Sequence, residues 1–124
     1  MMKKVIVLAT ALVGIVLVSA CTDETVTDDN APVDVAVTGN DTFVPANITV
    51  KVGQTVRWTW TGGSHNVVSG TKSGDTCTQD DKFTSGAPQA GGTFERVFEV
   101  AGSFPYYCEP HCATNMVGTV TVVP

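Results

Sequence analysis

Residues 104–122 read FPYYCEPHCATNMVGTVTV, and this stretch decides how the rest of the chain is interpreted. Aromatic and β-branched residues at both ends are typical of β-strands, whereas the polar centre with Pro110 interrupts them. Cys108, His111 and Met116 therefore fall in one nine-residue loop between two predicted strands. The spacing C-x₂-H-x₄-M allows a thiolate, an imidazole and a thioether to converge from a single turn.

The chain has two histidines, and the second, His65, lies at the start of another predicted strand. Two imidazoles, one thiolate and a weak thioether suit a copper ion that alternates between Cu(I) and Cu(II) in nearly one geometry. Each residue also has an ordinary structural explanation, since Met116 can fill a core and Cys108 can pair with Cys77. Their joint occurrence at strand ends predicts a mononuclear copper site.

The pattern beyond Pro32 consists of short β-branched and aromatic runs separated by Gly, Pro, Asn and Asp. It predicts an all-β domain, a Greek-key sandwich or barrel of about seven to eight strands. Val56, Trp58 and Trp60 alternate with polar residues and are expected to face the core. The predicted strands are 33–38, 48–51, 55–60, 66–68, 93–100, 103–107 and 117–122.

Connections between these strands are predicted from turn-forming residues. Short turns at 52–54 and 101–103 are expected to set the strands that they join antiparallel. The Gly-, Ser- and Asp-rich stretch 69–92 is expected to be a long loop that is functional, tethered or mobile.

The first twenty residues resemble a targeting segment. Lys3 and Lys4 precede an apolar run, and Val18-Ser-Ala-Cys21 resembles the lipobox of prokaryotic lipoproteins. We therefore expect a signal peptide over 1–20, an acylated Cys21 with an acidic tether over 21–32, and a single domain over 33–124. An ordinary signal peptide with an incidental cysteine, or an uncleaved membrane helix, remains an alternative. Acylation would anchor the protein to the outer, periplasmic face of the cytoplasmic membrane.

Charge restricts the class of partner. All twelve Asp and Glu residues follow residue 20, whereas two of the seven Lys and Arg residues precede it. The remaining chain is acidic, which argues against a nucleic-acid partner and favours a cationic protein.

Residues 62–68 and 103–122 resemble the cupredoxin family, in particular its small plastocyanin-like members, and the strand pattern extends the resemblance over 33–124. The resemblance implies that His65, Cys108 and His111 are strong copper ligands and that Met116 is a weak axial ligand. It implies that Asn66 ties the two ligand loops together and that electrons pass through the exposed edge of His111. The function that it implies is that of a one-electron carrier. We expect a monomer without catalysis of its own, and redox partners such as a c-type cytochrome, a terminal oxidase or a reductase are compatible with the sequence.

Cys112 departs from the simplest members of the family because it directly follows His111. With Cys21 assigned to the anchor, a disulfide between Cys77 and Cys112 leaves Cys108 free for the metal, as in plastocyanin-like domains with a C-x₂-H-C loop. Such a bridge is compatible with an exported protein.

Other functions remain to be weighed. Cys108 and Cys112 could bridge a two-copper centre, but the histidine expected at position 116 is a methionine. A copper enzyme needs further imidazoles that the chain lacks. An immunoglobulin-like structural module and a non-catalytic copper-binding or copper-handling lipoprotein share the predicted fold, so the fold does not decide among them.

Overall fold

The structure is a computed structural model that describes residues 29–124. The predicted signal peptide, the acylation of Cys21 and most of the predicted tether lie outside these residues. Within them, no helix is both long and apolar enough to cross a bilayer. The strands are β1 (Val33–Thr38), β2 (Thr42–Val44), β3 (Asn47–Lys51), β4 (Thr55–Trp60), β5 (Val68–Ser73), β6 (Thr76–Thr84), β7 (Thr93–Val97), β8 (Gly102–Tyr107) and β9 (Val117–Val123).

The nine strands form two sheets, which confirms the all-β class with slightly more strands than expected. One sheet has the order β2-β1-β4-β7 and the other the order β3-β9-β8-β5-β6. β1 runs parallel to β4, and β3 runs parallel to β9, whereas the other neighbours are antiparallel. The loops that follow β4 and β8 meet at one end of the molecule, where Glu109 donates a hydrogen bond to Asn66.

The hydrophobic core lies between the sheets. Val56, Trp58 and Trp60 are buried on β4 while the residues between them are partly exposed, so the predicted alternation is confirmed. The indole ring of Trp58 contacts the ring of Tyr106 from the other sheet, with centroids 5.4 Å apart. Such aromatic contacts add to the burial of apolar area and join the two layers. The core therefore supports the end of the sandwich that carries the ligand loops.

The prediction of a long loop over 69–92 was wrong. The segment contains most of β5 and all of β6, which pair with each other antiparallel. In β6 Phe83 is the one fully buried residue, and most of the others are exposed. This edge strand has no hydrophobic alternation, so the pattern that indicates a half-buried strand is missing from the sequence. β2 was also missed because it has only three residues.

The predicted antiparallel turns were wrong as well. β3 and β4 belong to different sheets, as do β7 and β8, so both connections pass from one layer of the sandwich to the other. The turn at 52–54 is present, whereas Gly102 and Ser103 already belong to β8. The backbone N–H of Val52 donates to Val123 and that of Gly53 donates to Phe98. Turn-forming residues predict where the chain reverses but not which strand it pairs with. Strand boundaries also differ: the strand predicted at 66–68 lies at Val68–Ser73, and the strand predicted at 93–100 ends at Val97. The strands predicted at 48–51, 103–107 and 117–122 are each one residue longer in the structure.

Candidate metal centre

The ligand loop, residues 108–116, connects β8 to β9. Cys108 is fully buried at the end of β8, and a short 3₁₀ helix, Glu109–His111, turns the chain away from the sheet. The loop is closed by two backbone hydrogen bonds, from Cys108 N–H to Met116 O (3.0 Å) and from Met116 N–H to His111 O (3.1 Å). Asn115 adopts a left-handed conformation, which its short polar side chain tolerates. Local bonding thus holds the backbones of Cys108, His111 and Met116 close together.

The segment that carries His65 follows β4. His65 exchanges backbone hydrogen bonds with Gln89, at 3.0 and 2.9 Å, and its carbonyl accepts the indole N–H of Trp60 at 2.8 Å. Gly63 has a φ of +77°, and a Cβ on it would lie 2.1 Å from His65 Nε2. A side chain at position 63 would therefore displace the imidazole. The ring itself is completely buried.

His65, Cys108 and His111 place their ligand atoms in one small triangle. The Nδ1 atoms of the two histidines are 3.1 Å apart, and Cys108 Sγ lies 3.7 Å from His65 Nδ1 and 3.5 Å from His111 Nδ1. A trigonal ion with bonds of about 2.0–2.3 Å separates its ligand atoms by roughly 3.5–4 Å. The observed edges are close to this range, so the three residues fit a single metal ion. The chemistry of the donors, two imidazoles and one thiolate, suits copper.

The thiol of Cys108 lies in an environment that favours its neutral form. Burial raises the pKa of this thiol, and the carboxylates of Asp41 and Glu109 act in the same direction. Backbone N–H groups of Asn66 and His111 oppose the shift without reversing it. Metal binding must therefore displace the thiol proton, since the thiolate is the form that coordinates.

Asn66 links the two ligand segments. Its side-chain amide donates to Glu109 Oε2 at 2.6 Å and to Gly86 O at 3.0 Å, and its carbonyl oxygen accepts the Glu109 N–H at 2.9 Å. The amide is fully buried, so losing these bonds would leave unpaired polar atoms. This contact joins the residue after His65 to the residue after Cys108.

Met116 and the remaining cysteines occupy the surroundings of the triangle. Met116 is 1% exposed and belongs to the main core cluster beside Cys108. Cys77 and Cys112 form a disulfide between β6 and the residue after His111. Among the residues that the structure describes, Cys108 is thus the free cysteine. Cys112 has no thiolate to offer, which removes the two-copper centre from consideration.

Two residues near the site were missed by sequence reasoning. Asp41, in the turn between β1 and β2, places Oδ1 3.7 Å from His65 Nε2 and 3.6 Å from His111 Nε2. Glu109 accepts a hydrogen bond from the Asn66 side-chain amide and donates its backbone N–H to the Asn66 carbonyl oxygen. Neither residue has a spacing that signals its role, because both contacts depend on loops that only the folded sandwich brings together.

Comparison with known proteins identifies the family. The family model described as copper binding proteins, plastocyanin/azurin family, matches residues 31–123. The chain belongs to this family. Copper is its metal, and the cluster of His65, Cys108 and His111 fits a type 1 copper site.

Individual relatives agree with this assignment. Halocyanin from Natronomonas pharaonis is 43% identical over 104 residues, which cover 82% of this chain and 60% of halocyanin. Plastocyanin from Scenedesmus fuscus is 35% identical over 92 residues, which cover 64% of this chain and 85% of that protein. The chain thus spans less than two thirds of halocyanin.

Solved structures show the same fold. A novel purple cupredoxin from Nitrosopumilus maritimus superposes with a TM-score of 0.60 at 32% identity, over 73% of this chain and 98% of that one. Pseudoazurin from Methylobacterium extorquens AM1 gives a TM-score of 0.57 at 24% identity, over 75% of this chain and 76% of that one, and this likeness concerns the fold alone.

Proposed function

We propose that the protein is a one-electron carrier that binds a single copper ion through His65 Nδ1, Cys108 Sγ and His111 Nδ1, with Met116 as a weak axial ligand. The observation that carries the proposal is the triangle of ligand atoms, with edges of 3.1 to 3.7 Å. Copper bound there would supply the Cu(I)/Cu(II) couple. No catalysis of its own is proposed.

The surroundings of the triangle support electron transfer. Cys108 and His65 are completely buried, and Asn66 joins their loops by hydrogen bonds. The disulfide at Cys112 restrains the loop immediately after His111. A site held in this way resists rearrangement when the charge of the ion changes, which favours fast exchange of an electron.

His111 provides the proposed route for the electron. Its side chain is 26% exposed, whereas that of His65 is 0% exposed. A partner that docks at this end of the sandwich can therefore approach one ligand directly. The proposed partners are redox proteins such as a c-type cytochrome, a terminal oxidase or a reductase, and the acidic chain favours a partner with a cationic docking face.

Anchoring through an acylated Cys21 is the second part of the proposal. The lipobox-like Val18-Ser-Ala-Cys21 supports it, as does the path of the chain. Asp29, near the start of the domain, forms an ion pair with Lys51 at 3.2 Å, and Lys51 pairs with Val123 at the end of β9. β9 starts beside the ligand loop, so Asp29 lies towards the opposite end of the molecule. His111 of a tethered protein would then face away from the membrane.

Absorption spectroscopy tests the copper site. Copper-loaded protein is expected to be intensely blue, because charge passes from the Cys108 thiolate to Cu(II), and to show a reversible one-electron couple. Cys108→Ser should remove the colour and leave a folded β-domain. Blue colour in the serine variant would refute the ligand assignment. Copper binding without a reversible couple would indicate a copper-handling protein instead. Mass measurement of the membrane-extracted protein tests the lipid on Cys21.

A further inference from the structure

We propose that Asp41 is a positioning residue of the metal centre, whose negative charge acts on both ligand imidazoles and favours Cu(II) over Cu(I). The inference rests on the proposed copper site and adds a residue from a third loop, the turn between β1 and β2. It predicts that this carboxylate lowers the reduction potential of the bound copper.

The two nitrogen atoms of each histidine ring have different neighbours. The Nδ1 atoms of His65 and His111 lie 3.7 and 3.5 Å from Cys108 Sγ, whereas both Nε2 atoms lie within 3.7 Å of Asp41 Oδ1. When Nδ1 of a neutral imidazole binds a metal, Nε2 carries the proton. One carboxylate oxygen thus approaches the N–H groups of both ligands.

His65 makes this contact unusual. Its Nε2 is fully buried and has no hydrogen-bond partner among residues 29–124. Ligand histidines ordinarily give their second ring N–H to a carboxylate or a carbonyl, which orients the ring and tunes the metal. The distance of 3.7 Å to Asp41 is too long for a hydrogen bond. The interaction is therefore a Coulombic one, between the Asp41 carboxylate and an N–H that has no hydrogen-bond partner among residues 29–124.

The sign of the effect follows from the charges. Oxidation adds one positive charge to the site, and a nearby anion stabilises the more positive state. The Asp41 side chain is 46% exposed, so solvent and salt weaken its field. We expect removal of the charge to change the ratio of Cu(II) to Cu(I) binding constants about threefold to tenfold, or about 30 to 60 mV for a one-electron couple.

The backbone conformation of Asp41 allows its charge to be removed without a change in the turn. Its φ is 58°, in the left-handed region that Asn and Gly also adopt readily. Asp41→Asn and Asp41→Gly should therefore keep the turn and remove the charge. Asp81 provides a matched control, because it is an exposed aspartate with a φ of 62° in the edge strand β6. Asp81→Asn makes the same chemical change away from the ligand loops.

The experiment measures the reduction potential and the separate affinities for Cu(I) and Cu(II), at low and high ionic strength. Asp41→Asn and Asp41→Gly should both raise the potential by about 30 to 60 mV, weaken Cu(II) binding more than Cu(I) binding, and differ less from the wild type at high salt. Asp81→Asn should match the wild type.

If the wild-type protein shows the blue band, three results would overturn the inference. The potential could be unchanged in both Asp41 variants, both oxidation states could lose affinity equally, or Asp81→Asn could shift the potential as much. A wild-type protein that shows no thiolate-to-copper band would instead overturn the proposed function, and the role of Asp41 with it.

Discussion

The ligand loop 108–116 and the histidine segment 62–68 reach the same metal centre by different means. The ligand loop carries three of the four proposed ligands in nine residues and is closed by its own backbone hydrogen bonds. The histidine segment carries one ligand, which the backbone bridge to Gln89 and the hydrogen bond from Trp60 hold in a buried position. The difference shows that local spacing assembles most of the site, whereas the sandwich must deliver its last ligand.

Removal of each histidine in turn should produce the largest effect and separate the two regions most clearly. His65→Ala and His111→Ala should both abolish the blue band, because each leaves the ion with one imidazole. His111 is partly exposed, so free imidazole can enter its cavity and restore the colour. The cavity at His65 is closed to solvent, so the same imidazole should not restore it. Absorption during an imidazole titration checks both variants. Equal rescue of the two variants would contradict the difference in solvent access between His65 and His111.

The disulfide tests whether the ligand loop depends on β6. Cys77→Ala combined with Cys112→Ala removes a cross-link over 35 residues of sequence. The free energy of unfolding should fall by about 2–4 kcal/mol, since the unfolded chain regains freedom. The blue band should remain, because neither sulfur is a ligand. Denaturant unfolding and absorption measure the two outcomes, and loss of colour would place Cys112 in the metal centre.

Asn66 tests the contact between the two regions. Asn66→Ala leaves the N–H of Glu109 without its partner, at a cost of about 1–3 kcal/mol, while copper binding is retained. A double-mutant cycle with Glu109→Ala isolates the contact between the two side chains. We expect an interaction free energy of about 0.5 kcal/mol or more. Independent effects of the two substitutions would show that the segments are not coupled there.

Met116 should give the smallest change in copper binding. Met116→Gln is expected to keep the copper and the colour but to lower the reduction potential, because the axial ligand tunes it. The site at position 116 is 1% exposed, so the copper-free variant should also lose stability through its buried amide. Voltammetry checks the shift. An unchanged potential would assign Met116 to the core alone.

The sequence predicted those features that depend on local pattern. Alternation on β4 correctly predicted the core face, and C-x₂-H-x₄-M predicted the loop in which Cys108 and His111 meet, because both are properties of neighbouring residues. β6 was missed because a polar edge strand has no apolar period. The contacts of Asp41 and Glu109 were missed because they join loops that are distant in sequence.

X-ray absorption at the copper edge, in both oxidation states, tests the central claim most directly. The account predicts one short bond to sulfur and two to imidazole nitrogen, with nearly the same geometry in Cu(I) and Cu(II). A copper environment without a short sulfur bond, or one that rearranges on reduction, would contradict the proposal that Cys108, His65 and His111 hold the ion for electron transfer.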